Sequence, residues 1–134
     1  LGKSFMLAYL AKELQKKERD ILYIRSGSLF GLFHRHRLGE FSRVDLIYDA
    51  AVLLIDDLGT EPLMQNITIT QLFNLLNERQ LAGLHTVIST NLDIPELKER
   101  YTERIASRLM DSTRWRKLTL SGEDVRRKLG GERA

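Results

Sequence analysis

Two groups of polar residues could act together on a phosphate-bearing ligand. Gly2-Lys3-Ser4 ends the phosphate-loop pattern G-x-x-x-x-G-K-[ST]. In this pattern the glycine lets backbone N–H groups curl around phosphate oxygens, the lysine reaches the outer phosphates, and the hydroxyl is a ligand for Mg²⁺. An ordinary Gly-Lys turn before a helix would look the same, so the triplet needs support from the rest of the chain.

That support comes from Asp56 and Asp57, which follow the apolar residues 51–55. Two anions side by side at a buried edge are costly unless a cation neutralises them, and Mg²⁺ bound with a nucleotide is the natural partner. Asp56 is predicted to hold the metal, and Asp57 to act as general base toward the attacking water. The alternative is a solvated pair that caps a turn.

Other candidates come later in the chain. Asn91 follows a third predicted strand, where a neutral amide can orient water or touch a γ-phosphate. Arg104 and Arg108 are four residues apart, on one helical face. They predict an arginine finger directed at the nucleotide of a neighbouring subunit, with Arg108 the preferred residue, whereas the alternative is a solvated or acid-paired arginine. Arg126 is a candidate second arginine contact with the nucleotide, or part of a solvated tail.

Aromatic and basic side chains alternate in residues 30–43. This pattern suits single-stranded DNA, because bases stack on aromatic rings and arginines follow the phosphates. The alternative is an amphipathic helix with its phenylalanines in the core and its arginines in water. The candidate DNA-binding residues are Phe33, Arg35, Arg37 and Arg43.

Helical and strand patterns alternate, which predicts an α/β fold with a mostly parallel sheet covered on both faces. Ligands bind such sheets beyond the carboxyl ends of the strands, where the polar groups described above are expected. The predicted helices are 4–18, 28–38, 42–49, 68–82, 95–101 and 103–111, with Thr102 as the cap between the last two. The predicted strands are 20–24, 51–55, 86–90 and 117–120.

Composition narrows the class of protein. The 134 residues, 43% hydrophobic and 29% charged, predict one compact domain and exclude whole-chain disorder. The net charge of 21 − 18 = +3 permits a nucleic-acid partner without demanding one. The absence of cysteine excludes thiolate metal sites and a cysteine nucleophile, and it is compatible with the cytoplasm. No apolar run is long enough to span a membrane.

The ordered motifs resemble the AAA+ ATPase domain of bacterial replicative-helicase loaders of the DnaC/DnaI type. IstB-like transposition helper ATPases are close relatives with most of the same motifs. The resemblance covers nearly the whole chain and implies a three-layer P-loop NTPase sandwich over residues 1–134, with little or no lid. It also implies that the first strand and part of the P-loop are missing from the sequence, which would leave a hydrophobic slot in the sheet. The motifs are Gly2-Lys3-Ser4, residues 54–59, Ser89-Thr90-Asn91 and residues 103–108.

The resemblance also implies roles for the candidate residues. Lys3 and Ser4 match the Walker A lysine and hydroxyl, and Gly2 and Phe5 are grouped with them as nucleotide-binding residues. Asp56 matches the Walker B metal ligand, and Asp57 stands where many AAA+ proteins have glutamate. The remaining matches are Asn91 with sensor 1, Arg108 with the arginine finger and Arg126 with the sensor 2 arginine.

The function implied by the resemblance is loading of a replicative DNA helicase onto DNA during replication initiation. The implied cofactors are ATP and Mg²⁺, with slow hydrolysis stimulated by DNA or a partner. Self-assembly into a ring or spiral would place ATP at subunit interfaces, with single-stranded DNA as a further partner. The alternatives are a helper ATPase for a transposase, a nucleotide-gated DNA-binding adaptor with negligible turnover, and a small P-loop kinase.

Overall fold

A computed structural model describes residues 2–17, 20–61 and 65–116 of the chain. Its sheet has three parallel strands in the spatial order β1-β2-β3. The strands are β1 (Ile21–Arg25), β2 (Val52–Leu58) and β3 (His85–Thr90). The predicted strand 117–120 lies outside the described residues.

Helices connect the parallel strands, as the crossovers of such a sheet require. Helix α1 (Lys3–Lys16) precedes β1, and α2 (Ser26–Arg37) and α3 (Val44–Asp49) join β1 to β2. Helix α4 (Gln65–Leu81) joins β2 to β3, and α5 (Ile94–Leu109) follows β3. The predicted elements in the described residues are therefore present, but β2 runs three residues further than the predicted 51–55, so Asp56 and Asp57 lie inside the strand.

Alternate residues of β2 face two separate cores. Val52 and Leu54 pack with Leu7 of α1 on one face of the sheet. Leu53 and Ile55 belong to the larger core on the other face, which includes side chains from α2, α3, α4 and α5. The sequence of a strand buried on both faces is a continuous apolar run, which is the pattern of residues 51–55. The expected three-layer P-loop architecture is confirmed.

Helix α5 is broken at Thr102. Its start is fixed by a capping box between Asp93 and Glu96, with Pro95 in the first turn. Thr102 has φ 76° and ψ 159°, which are not helical values, and Tyr101 and Ile105 on either side of it are fully buried. The predicted division at Thr102 is confirmed, although the two halves follow each other directly.

One edge of the sheet borders an open groove. Among the described residues, β3 pairs only with β2, and a groove of about 910 Å³ runs along its other side. Its walls include apolar side chains of α1 and α5 and one tryptophan: Met6, Leu7, Leu97, Leu109 and Trp115. This groove fits the expected hydrophobic slot in the sheet. No helix in the described part of the chain is both long and apolar enough to cross a membrane.

Candidate nucleotide-binding site

The carboxyl edge of the sheet brings distant polar residues into contact. The Ser4 hydroxyl donates a hydrogen bond to Asp56 Oδ1 at 3.1 Å, across 52 positions of sequence. Lys3 Nζ donates to Asn91 Oδ1 at 3.2 Å, across 88 positions. The Gly-Lys-Ser triplet, the first carboxylate and the strand-end amide therefore share one site.

The start of α1 has the features of an anion site. Gly2 has φ 75°, a left-handed conformation that is strained for residues with a Cβ, and the helix begins at Lys3. Within the described residues, no side chain caps the first turn of α1. N–H groups of such a turn carry partial positive charge and suit phosphate oxygens. Phe5 is 72% exposed beside this turn.

Asp56 is a buried carboxylate with several donors. Its side chain is 1% exposed, and Oδ1 accepts from the Ser89 hydroxyl at 2.6 Å as well as from Ser4. Its Oδ2 accepts from the Tyr23 hydroxyl. Burial alone would raise the pKa of Asp56, but the hydrogen bonds from Ser89, Tyr23 and Ser4 outweigh burial and lower it below its usual value. The carboxylate is therefore ionised at neutral pH.

The oxygen atoms of Asp56 and Ser4 are suitable ligands for Mg²⁺. This ion is usually held by one or two carboxylates together with phosphate oxygens and several waters. An ionised carboxylate in contact with the Ser4 hydroxyl supplies the protein part of such a set. Asp56 and Ser4 are therefore the residues that would hold the ion.

Asp57 has a fixed backbone and a carboxylate that has no partner among the described residues. Its φ is 62°, and the strand pairing shifts register between Ile55 and Leu58. Its N–H donates to Ser89 Oγ at 2.8 Å, and its carbonyl accepts from the hydroxyls of Ser26 and Thr60, each at 2.9 Å. With the described residues, the half-buried carboxylate makes no hydrogen bond. Its role as general base stays a prediction.

The candidate finger arginines lie on α5 beyond Thr102. The guanidinium carbons of Arg104 and Arg108 are 4.0 and 4.9 Å from the ring centre of Phe73. Arg108 Nη1 also donates to Gln80 Oε1 at 3.0 Å. Both arginines thus have described partners away from Ser4 and Asp56, and their role toward a nucleotide stays a prediction. Arg126 lies outside the described residues.

The structure corrects one DNA-binding candidate. Phe33 is 2% exposed and packs against Phe30 and Tyr48, with ring centres 5.9 and 6.4 Å away. A ring buried in this way cannot stack on a base, so for Phe33 the amphipathic-helix alternative is correct. Arg35, Arg37 and Arg43 are exposed, and Arg43 pairs with Asp45 at 3.0 Å. A DNA-binding role for these three arginines stays a prediction.

Sequence reasoning did not assign Tyr23 or Ser89 to the site. Ser89 belongs to the same Ser-Thr-Asn stretch as Asn91, but it lies inside β3, beside Asp56. Tyr23 shares the sheet face of Ile21, which packs toward α1. Strand alternation could have placed Tyr23 on that face, but its contact with Asp56 depends on the register between β1 and β2.

Comparisons with known proteins agree with this geometry. No protein-family profile matches the chain. The chain is 30% identical over 106 residues to the replicative helicase loader DnaI of Bacillus subtilis. The match covers 76% of this chain and 33% of that protein, so the chain spans about a third of the length of this curated relative.

Solved structures share the fold. Domain III of the replication initiation protein DnaA from Thermotoga maritima superposes with a TM-score of 0.69 at 25% identity, over 82% of this chain and 47% of that one. AMPPCP-bound DnaA from Aquifex aeolicus superposes with a TM-score of 0.67 at 18% identity, over 82% and 35% of the two chains. The chain therefore has the fold of an AAA+ ATPase domain and is similar to the domains of these replication proteins.

Proposed function

We propose that this chain is the ATP-hydrolysing part of a replication-associated AAA+ protein that loads a replicative helicase onto DNA. The observation that carries the proposal is the contact of Ser4 with Asp56 beside the contact of Lys3 with Asn91. A lysine and a hydroxyl at a helix start, next to a buried carboxylate, form the arrangement that binds Mg²⁺ and a triphosphate. The proposed setting is the cytoplasm, where the helicase and DNA are found.

The proposed binding step uses α1 and the end of β2. The first-turn N–H groups after Gly2 and the Lys3 ammonium hold the phosphates, and Phe5 lies next to them. Ser4 and Asp56 hold Mg²⁺, which, when bound, neutralises charge on the phosphate oxygens. Because Asp56 is already ionised, it needs no proton release to accept the ion.

The proposed hydrolytic step uses the two residues that follow. Asp57 accepts a proton from the attacking water, which its free carboxylate allows. Asn91, held by Lys3, orients that water or the terminal phosphate. Arg108 reaches the site of a neighbouring subunit in a ring or spiral, with Arg104 beside it and Arg126 as a further contact. An arginine supplied in this way contributes ~10³–10⁵ in rate in other NTPases.

Two features support the helicase and DNA as partners. The curated relative that matches is named a replicative helicase loader, and a DnaA of the same fold is described as bound to AMPPCP and single-stranded DNA. Arg35, Arg37 and Arg43 are exposed for contact with DNA phosphates. A transposase helper would use the same nucleotide site, but the similarity to a helicase loader favours the first function.

The first experiment measures nucleotide binding and DNA-stimulated ATP hydrolysis by the purified protein. Lys3→Ala is expected to weaken Mg²⁺-nucleotide binding by at least tenfold, because the lysine charge on the phosphates is lost. Lys12→Ala changes an exposed lysine on the same helix and is the matched control. Equal binding by the Lys3→Ala variant and the wild type would contradict the proposed site.

Asp57→Asn separates binding from hydrolysis. The amide keeps the size of the side chain but cannot accept the proton, so we expect hydrolysis to fall ~10²–10⁴-fold with nucleotide affinity nearly unchanged.

Stable co-purification with the replicative helicase, and helicase loading on single-stranded DNA, test the partner. Binding to a transposase instead would favour the alternative function.

A further inference from the structure

A buried acid outside the nucleotide site connects the end of β2 to α5. The Glu61 side chain has no exposed surface. Its Oε1 accepts from the Gly59 N–H at 2.8 Å, and its Oε2 accepts from the Tyr101 hydroxyl. Arg100 Nη2 lies 3.4 Å from Oε2 and also donates to the Glu61 carbonyl. One carboxylate therefore bonds both the loop after Asp57 and the last turn of α5 before Thr102.

This connection is expected to be stiff. A buried carboxylate that loses one partner leaves an uncompensated charge, which is strongly unfavourable. Arg100 and Tyr101 are therefore expected to keep their contacts with Glu61, because separating them would leave its charge uncompensated. Tyr101 is itself fully buried, so its ring holds this part of α5 against the core.

The element on the far side of Thr102 carries Arg104 and Arg108. Thr102 has non-helical backbone angles and kinks α5, so the direction of residues 103–109 is not set by a regular helix. It depends on how residues 100–101 are held and on the stacking of both arginines on Phe73. Glu61 contributes to the first constraint, because it holds residues 100–101.

We propose that Glu61 is a positioning residue that anchors α5 to the loop after Asp57 and thereby sets the direction of Arg104 and Arg108. The proposal rests on the proposed function, because it gives those arginines a role at a neighbouring site. It assigns to Glu61 no contact with the nucleotide or the reacting atoms. Its effect should therefore appear in the subunit that donates the arginine.

The test mixes two variants, neither of which can hydrolyse ATP alone. Together they can form an interface that has both a working site and an arginine. A Lys3→Ala subunit lacks a working site and can only donate its arginine, whereas an Arg108→Ala subunit lacks the arginine and can only offer its site. Glu61→Gln is then added to one partner at a time. Glutamine keeps the shape of the side chain and an acceptor for Gly59, but it removes the charge that Arg100 faces. Glu99→Gln, on the exposed side of the same helix, is the matched control.

In the donor subunit, Glu61→Gln is expected to lower ATP hydrolysis by the mixture by ~10-fold or more, because a misplacement of about 1 Å can cost ~10²-fold. In the acceptor subunit it is expected to change hydrolysis by less than about twofold. An equal loss in both arms would mean a general structural effect and would overturn the proposal, as would no loss in the donor.

Hydrogen exchange gives a readout that does not need ATP hydrolysis. Glu61→Gln is expected to speed exchange of the amides of residues 103–109 about tenfold relative to Glu99→Gln, with α1 unchanged. If exchange in residues 103–109 stays the same, the proposal is overturned even where the protein hydrolyses ATP. If exchange rises but no mixture of subunits hydrolyses ATP, the positioning contact holds and the proposed function fails.

Discussion

Asp56 and Asp57 are neighbours in sequence but have different surroundings. Asp56 is buried and receives hydrogen bonds from Ser4, Tyr23 and Ser89, which hold it in the charged form. Asp57 has its backbone turned to φ 62°, and its carboxylate is free of described partners. Asp tolerates this left-handed conformation better than most residues, and such strain often occurs at functional sites. These surroundings differ in the way that the proposed roles of cation ligand for Asp56 and general base for Asp57 require.

Tyr101 allows a test of the buried Glu61 contact by pH. Burial, followed by the hydrogen bond to Glu61, raises the pKa of Tyr101 above its usual value of 10.0. Since the folded state favours the neutral phenol, this stabilisation is present below about pH 10 and is lost as the pH rises through the folded-state pKa. We expect Tyr101→Phe to be less stable by about 1–3 kcal/mol at pH 7, because Glu61 loses a donor.

The measurement is the free energy of unfolding in urea between pH 7 and pH 11. The gap between the wild type and Tyr101→Phe should narrow above about pH 10, where only the wild type has the phenol to ionise. Tyr9→Phe changes a half-exposed tyrosine of α1 and is the control. A gap that stays constant across this range would contradict the raised pKa of Tyr101.

At the scale of elements, the loop after β2 is held by close packing as well as by Glu61. Gly59 has φ 111°, and a Cβ added there would lie 2.8 Å from Leu92 Cδ1. Gly83, before β3, also has positive φ, at 73°, but a Cβ there would meet no atom within 4 Å. The two glycines therefore separate the cost of backbone strain from the cost of a steric clash.

Gly59→Ala is expected to destabilise the fold more than Gly83→Ala. Both substitutions place a Cβ at positive φ, which costs about 1–2 kcal/mol. Only Gly59→Ala also forces Leu92 to move, which adds about 1–3 kcal/mol. Urea denaturation of the two variants gives the difference directly, and equal destabilisation would show that Leu92 yields without cost.

Much of this element structure is predictable from sequence. The apolar run of β2, the helical spacing of α1 and α4, and the interruption at Thr102 all follow from local patterns. The length of β2 was underestimated because Asp56 and Asp57 are unusual strand residues, kept in the sheet by Ser89 and by the bond that Asp57 accepts from Ser26. Phe33 was misassigned because an aromatic ring among arginines fits both a core and a DNA surface.

At the scale of the whole molecule, the site depends on long-range contacts that local patterns do not specify. Asp56 and Asn91 could be expected to lie at one edge of the sheet, because each stands near the carboxyl end of a parallel strand. Lys3 could be expected there from the phosphate-loop pattern that opens α1. The Glu61 network could not, because it depends on where α5 crosses the loop after β2. The parts of the site known from sequence are the residues near strand ends and the Gly-Lys-Ser triplet that opens α1.

Ligand binding should therefore stabilise the molecule as a whole. Mg²⁺ with AMPPCP at about 100 times its dissociation constant is expected to add about 2.7 kcal/mol to the free energy of unfolding. The expected result is a rise in Tm for the wild type and Lys12→Ala and a much smaller rise for Lys3→Ala, measured by scanning calorimetry. A rise of the same size in Lys3→Ala would place the nucleotide elsewhere.

The groove beside β3 has a practical consequence for anyone who prepares these residues alone. Within the part of the chain that the structure describes, the outer edge of β3 has no pairing strand and borders this apolar groove, and such an edge is a template for pairing with another extended chain. We expect this edge to favour self-association at high concentration, and a lysine placed at an outward position of β3 to reduce it.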